Sequence, residues 1–418
     1  MFRYRKHRLV RQALAIGWWQ LVTKGVGFAG SVWATRCLDP YKLGISGLTM
    51  AIMGQIWFLA TPFLDVVLTR HYRLEASAEK RARLISIAFS WRLLVMALVG
   101  GLAFTTTFFR TEPEWHLGLM AAFPVLLMVA NPPTWLLMAE ENMAASSRSA
   151  ALQSIVMAVL YGLFFRPGQQ TGSDIVVLAV STFVGWIYAW RVALGRFWPL
   201  PLVPRLAFQM LPLLWEGRWI ILWSVSINLA TQFESVLLGW LGNLPDLGKY
   251  GTACSLTVSI AGLLGFFPAI LYPRFIEWNK AGLSVLLRRQ LKLAGAAMGG
   301  AIAVAIISFF AAPFAYRITY GPAFTAAAYP FVVLLTAKFV ALSSAMMTWG
   351  LWAQGRDRTV AIITLPVAIL SLLSNVLLIP RFGMMAAACT NLGSELLIFG
   401  ASFWISRRAA MAESRISK

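Results

Sequence analysis

The chain has 418 residues, of which 59% are hydrophobic and 12% charged, with a mean hydropathy of +0.70; soluble domains are roughly half apolar and a quarter charged. These values exclude a soluble globular protein and make lipid the chain's main solvent. The net charge of +20 is read first as an orientation signal, because basic residues of a membrane protein sort by topology, and it implies no nucleic-acid partner.

A transmembrane helix needs about 20 mostly apolar residues. Such runs recur at 13–36, 44–69, 84–108, 116–139, 149–167, 174–194, 218–242, 249–273, 291–312, 324–353, 359–379 and 384–405, which predicts an all-α integral membrane fold of twelve helices. An even number puts both termini on one side. Lys and Arg crowd that side, as in Arg3, Arg5, Lys6, Arg8 and Arg11 before the first span and Arg70, Arg73, Lys80, Arg81 and Arg83 after the second, whereas the opposite loops carry one or two each. The positive-inside rule then makes both tails cytoplasmic. The basic start lacks a short apolar region with a small-residue cleavage site, so the first span reads as an uncleaved signal anchor. Cys37, Cys254 and Cys389 are scattered, and His7, His71 and His116 lack ligand spacing, so no disulfide framework, metal or other cofactor is expected.

The first span carries Lys24 near its midpoint. A Lys or Arg at the bilayer centre costs about 2.5–3.5 kcal/mol on translocon scales, so such groups face protein or a water-filled cavity. At helical spacing Lys24 shares a small and polar stripe with Gly17, Gln20, Gly27 and Ser31, while Trp18, Val22, Val26, Ala29 and Trp33 occupy other faces. It is a cavity-lining cation or a lysine paired with a neighbouring helix. Asp65 near the cytoplasmic end of the second span is a proton or cation site, or a structural hydrogen-bond partner. Arg92 in the third span lies nearer the cytoplasmic end, where it lines the cavity or snorkels outward.

The connection from Arg191 to Gly217, with Pro199, Pro201, Pro204 and Pro212 against helical continuity and Trp and Arg suited to an interface, divides the chain. It predicts an N-terminal six-helix lobe over 1–195, a cytoplasmic linker over 196–217 and a C-terminal six-helix lobe over 218–418. Aligning Trp33 with Trp240 brings "KLGIS" (Lys42–Ser46) onto "KYGTA" (Lys249–Ala253), a weak parallel repeat of the kind in which substrate is held between lobes. The seventh span places Glu234 beside Ser224, Asn228 and Gln232. In the repeat register Lys24 aligns with Thr231 and Gly27 with Glu234, so Lys24 and Glu234 are expected at similar depth on opposite lobes, able to pair in the absence of substrate. Lys338 repeats the mid-span pattern in the tenth span, with Ala341, Ala345 and Thr348 on its face. Glu395 in the twelfth is a second proton or cation candidate. Pro62, Pro132, Pro133, Pro268, Pro273 and Pro366 mark hinges or static kinks.

Several stretches together resemble the polysaccharide-transporter family, the O-antigen and repeat-unit flippases of the multidrug/oligosaccharidyl-lipid/polysaccharide (MOP) exporter superfamily. "AQGRDRTVAIITLPVAILSLLSNVLLIPRFGMMAAACTNLGSELLIF" carries Gly355–Arg356, Asn375 and "IPRFG". "GKYGTACSLTVSI", "FPAILYPRF" and "YGPAFTAAAYPFVVLL" resemble the family's eighth span and the approach to its tenth; "GSVWATRCLDPYKLGISGLTMAI" and "FLDVVLTRHY" resemble its first two.

The resemblance implies two six-helix lobes around a central cavity, a MATE-like architecture in the bacterial inner membrane. It implies alternating access that moves an undecaprenyl-pyrophosphate-linked oligosaccharide to the periplasmic leaflet, counter-transport of protons or sodium, and a monomer working beside the pathway's polymerase and chain-length regulator. On that reading Lys24, Lys338, Arg92 and Arg36 would meet the pyrophosphate as charge-assisted partners. Gln20, Asn228 and Gln232 would meet sugar hydroxyls, and Glu234, Asp65 and Glu395 are the ion-coupling candidates.

Rivals differ in what they would carry. A MATE-like antiporter of cationic drugs would line its cavity with carboxylates, against two mid-span lysines and one comparably deep glutamate here. A lipid II flippase would have two further spans, and a polymerase or ligase of the same pathway would present a substantial outward loop. No DxD, HExxH, GxSxG or Walker A pattern points to an enzyme.

Overall fold

The computed structural model describes residues 2–61, 64–105, 112–113, 115–116, 134–140, 142–194, 204–262 and 266–416. Most of the fourth expected span lies outside these residues, as do Pro62, Pro132 and Pro133. Every regular element among the described residues is helical, as lipid requires of a chain whose backbone groups must be satisfied within each segment. Seven of these helices are long and apolar enough to cross a membrane, or eight if one bent pair is a single span.

The chain divides into two compact units, Met1–Ile221 and Leu222–Lys418. The first contains α1 (Phe2–Cys37), α2 (Pro40–Ala60), α3 (Leu64–Leu74), α4 (Ala78–Phe104), α5 (Thr134–Ala139), α6 (Met143–Phe164) and α7 (Ser173–Leu194), then the short helices α8 (Pro204–Ala207) and α9 (Leu211–Glu216). The unit boundary falls inside α10 (Arg218–Thr231). The second unit continues with α11 (Glu234–Leu241), α12 (Leu244–Ala261), α13 (Phe266–Lys280), α14 (Leu283–Thr319), α15 (Ala328–Ala353) and α16 (Asp357–Ile416). α16 is two helical limbs meeting at Gly383, whose φ of 55° and ψ of −136° leave the helix.

In the first unit Gly27 and Gly30 allow α1 close to α6: a Cβ at Gly27 would lie 3.5 Å from Ser154 Oγ, and one at Gly30 would lie 3.2 Å from Ala158 Cα. α6 is tied to α7 by Ser149 Oγ donating to the Gly185 carbonyl (2.7 Å) and Gln153 Nε2 to Thr182 Oγ1 (2.7 Å). In the second unit Gln290 Nε2 donates to the Met346 carbonyl (2.8 Å) and Ser343 Oγ to the Ala294 carbonyl (3.0 Å), both joining α14 to α15.

The repeat register has a local structural counterpart. Asp39 accepts from the Lys42 amide at 2.9 Å at the start of α2, and Asn243 from the Asp246 amide at 2.8 Å at the start of α12. Lys42–Asp39 and Lys249–Asp246 are both ion pairs at 3.8 Å, and they occupy aligned positions. The connection between the halves is more helical than its prolines suggest. Pro204 opens α8 and Pro212 sits in the first turn of α9, where a missing amide hydrogen costs no internal bond. Pro268 and Pro273 lie within α13 and Pro366 within the first limb of α16; in α16 the helical backbone is left at Gly383, not at Pro366.

Candidate functional site

Charged and polar groups gather at two interior places, one in each unit. In the first, Lys24 is half-buried on α1. The exposed stripe of that helix is Trp18, Leu21, Gly25, Ala29 and Trp33, and Lys24 lies away from it, on the side of Gly27 and Ser31. Part of that side is helix packing, because Gly27 faces Ser154 of α6. Within its unit Lys24 makes no hydrogen bond or ion pair among the described residues, so its ammonium remains available. Gln20 is half-buried one turn earlier. Arg36 is exposed and continues the Trp18–Trp33 stripe, so the structure does not bring it to the Lys24 face.

Arg92 and Asp65 are partners. Arg92 Nη2 donates to Asp65 Oδ1 at 2.6 Å between α4 and α3, and Arg92 is only 1% exposed. The arginine therefore does not snorkel: its charge is met inside the protein by a carboxylate. Of the two readings given for Asp65, the contact matches the structural hydrogen-bond partner, and Arg92 is the group it holds.

The second place is built around a broken helix. α10 and α11 are long and apolar enough to cross a membrane only together, and the chain turns by 42° between Thr231 and Glu234. A break at membrane depth frees carbonyls that need partners, and α16 supplies them: Ser371 Oγ donates to the Ala230 carbonyl (3.0 Å) and Asn391 Nδ2 to the Thr231 carbonyl (2.9 Å). The Asn228 carbonyl accepts from the amides of Gln232 (2.9 Å) and Phe233 (3.2 Å). Asn228 is half-buried and Gln232 exposed, so only the first belongs to the interior.

Glu234 opens α11 and is 4% exposed. Its Oε1 accepts from Tyr250 Oη (3.2 Å) and Asn391 Nδ2 (3.0 Å), while its Oε2, like Asn391 Oδ1, is buried without a hydrogen-bond partner among the described residues. Glu395, one turn beyond Asn391 and 7% exposed, lies beside α15, where Ser344 Oγ donates to its main-chain carbonyl (2.9 Å). The half-buried Lys338 is close enough for its charge to act on both Glu234 and Glu395, yet forms an ion pair with neither among the described residues. Glu395, the second ion candidate, is thus buried nearly as deeply as Glu234, and the charge of Lys338 acts on both. Asn375 extends the network by accepting from Thr390 Oγ1 at 2.6 Å.

The site includes residues not singled out from the sequence, above all Tyr250 and Asn391. Asn391 was detectable in principle: "TNLGSE" puts Thr390, Asn391, Ser394 and Glu395 on adjoining helix positions, a polar face in an apolar helix. No group of three or more His, Cys, Asp or Glu able to hold a metal occurs among the described residues.

The sequence model of the family described as polysaccharide biosynthesis protein matches residues 9–278. The chain belongs to that family. A similar relative is the "Putative O-antigen transporter" of Escherichia coli (strain K12), 23% identical over 374 residues that cover 87% of this chain and 88% of the relative. Among solved structures, an inward-facing multidrug-resistance MATE transporter of the MOP superfamily superposes with a TM-score of 0.72 at 14% identity, covering 95% of this chain and 96% of that one. The lipid II flippase MurJ, inward closed, gives 0.71 at 10% identity, covering 95% of this chain and 87% of that one. At these identities the structures establish the fold alone: this family member is all-α, with several apolar helices able to cross a membrane, and shares the fold of these two transporters.

Proposed function

We propose that this protein is a flippase, a secondary transporter rather than an enzyme. It carries an undecaprenyl-pyrophosphate-linked oligosaccharide repeat unit from the cytoplasmic to the periplasmic leaflet of the bacterial inner membrane by alternating access of its two lobes, for O-antigen, capsule or exopolysaccharide synthesis. Family membership and the name borne by the E. coli relative support the reading. The observation that carries it is Lys24: an ammonium in the apolar part of α1, half-buried and, among the described residues, without a hydrogen bond or ion pair in its unit. A lysine kept there at such cost suits a substrate whose charged part is a compact polyanion. The half-buried Gln20 and Asn228 are placed to meet sugar hydroxyls. The isoprenoid tail stays in lipid and needs no pocket. Both tails are cytoplasmic, and the protein works as a monomer next to the pathway's polymerase and chain-length regulator.

The second unit supplies coupling. Glu234 and Glu395 share Lys338, so one negative charge is in excess when all three are ionised. A proton or sodium ion entering there would meet two unpartnered oxygens, Glu234 Oε2 and Asn391 Oδ1. The same excess of carboxylate favours a second reading, a MATE-like cation antiporter, whose fold this chain shares. One strain construction separates the two. In a host lacking its repeat-unit translocator the gene restores surface polymer and leaves drug susceptibility unchanged; reduced drug susceptibility with no polymer would establish the antiporter instead.

A further inference from the structure

The connection after α7 returns as a near-continuous helical run of α8, a 3-10 turn over Phe208–Met210 and α9, and its two faces differ in what they meet. Leu206, Met210, Leu213 and Leu214 pack inward onto the core that holds Tyr72 and Trp135. On the other face Phe208, Leu211 and Trp215 are exposed, Trp215 by 72%. Their spacing makes one stripe along the run, and the exposed Arg205 and Arg218 continue it at either end. The Arg218 guanidinium lies over the Trp215 ring, 4.9 Å from its centroid.

Two further arginines flank the run. Arg83 Nη2 donates to Gln209 Oε1 (3.1 Å), and Arg70 lies 3.8 Å from Glu216, whose carboxylate also meets His71 Nε2 at 2.9 Å. The only acidic group in the run is thereby already engaged, while four arginines border an apolar stripe. Orientation signalling accounts for basic residues on this side of the membrane. It does not account for indole, phenyl and leucyl groups aligned between two of them, on a segment whose other apolar face is already packed.

We propose that the 205–218 run is a binding strip for anionic phospholipid of the cytoplasmic leaflet. Phe208, Leu211 and Trp215 sit at the boundary of headgroups and acyl chains, and Arg205 and Arg218, with Arg70 and Arg83 beside them, hold the phosphodiester. The occupant is lipid because the chain enters its next membrane span at Arg218, which puts the stripe at interfacial depth, and because an apolar stripe edged by arginines matches the layering of an anionic leaflet. The proposal does not depend on what the protein transports, and its readout is lipid binding.

The test titrates short-chain phosphatidylglycerol and, separately, phosphatidylcholine of the same chain length against the purified full chain in detergent, following the thermal unfolding midpoint. The wild type is expected to respond to phosphatidylglycerol at lower concentration than to phosphatidylcholine. Since each basic group near an anionic surface contributes about five-fold, Arg205→Gln with Arg218→Gln should weaken the phosphatidylglycerol response roughly thirty-fold. Arg205→Lys with Arg218→Lys should retain most of it. All four substitutions fall on exposed side chains, so the fold is expected to survive. Equal responses to the two lipids, or an unchanged phosphatidylglycerol response in the glutamine variant, would overturn the proposal and leave these arginines with orientation alone.

Discussion

Lys24 of α1 and Arg92 of α4 are both cations set into the first unit, and they differ in what surrounds them. Arg92 is wholly buried and joined to Asp65 at 2.6 Å; Lys24 is half-buried and makes no hydrogen bond or ion pair within its unit among the described residues. Breaking a buried pair from one side costs about 3–5 kcal/mol, because the remaining charge loses its partner. Asp65 retains partial exposure, so Asp65→Asn should cost near 3 kcal/mol on that scale, and Asp65→Asn with Arg92→Met should recover part of the loss. Unfolding in mixed micelles measures both. Each residue was legible in the sequence as a membrane charge. Their pairing was not, because it depends on how α3 and α4 pass one another, and a separation of 27 in the chain says nothing of that.

At the scale of elements, the break between α10 and α11 could not be read from the sequence. Neither Gly nor Pro occurs at 231–234, so no helix-breaking residue marks the place. The cause is tertiary: Ser371 and Asn391 of α16 accommodate the freed carbonyls of Ala230 and Thr231. Asn391→Leu removes the donor to both Thr231 and Glu234, leaving buried acceptors unsatisfied at a cost of about 1–3 kcal/mol each. A lowered unfolding midpoint is the expected result, and Asn391→Asp, which also lacks the amide donor and sets a second carboxyl beside Glu234, should lower it as well. The elbow of α16 behaves differently, because "PRFG" announces it. Gly383 holds a positive φ that an L side chain resists, and its Cβ would come within 3.2 Å of Asp246 Oδ2. Gly383→Ala should destabilise by about 1–3 kcal/mol, detectable in the same unfolding measurement, whereas alanine at Gly295, which has open space around it, should not.

For the whole molecule, composition and span periodicity suffice to establish an all-α membrane protein, because hydropathy is a property of the chain itself. The parallel repeat also leaves a sequence trace, small but structurally real in the Asp39–Lys42 and Asp246–Lys249 pairs. Less legible was the distribution of charge between the units, since carboxylates distant in sequence converge on Lys338 only after α11, α15 and α16 have packed. The resulting asymmetry underlies the proposed mechanism: an unpaired lysine in the first unit receives the pyrophosphate, and a carboxylate-rich cluster in the second takes up the coupling ion. Surface polymer restored in a translocation-deficient host by wild type, Lys24→Arg and Lys24→Ala, at matched membrane levels, tests this most directly. Loss of a charge-assisted contact of about 1.5–3 kcal/mol predicts a ten- to hundred-fold reduction for alanine with substantial retention for arginine. Full restoration by Lys24→Ala would contradict the account.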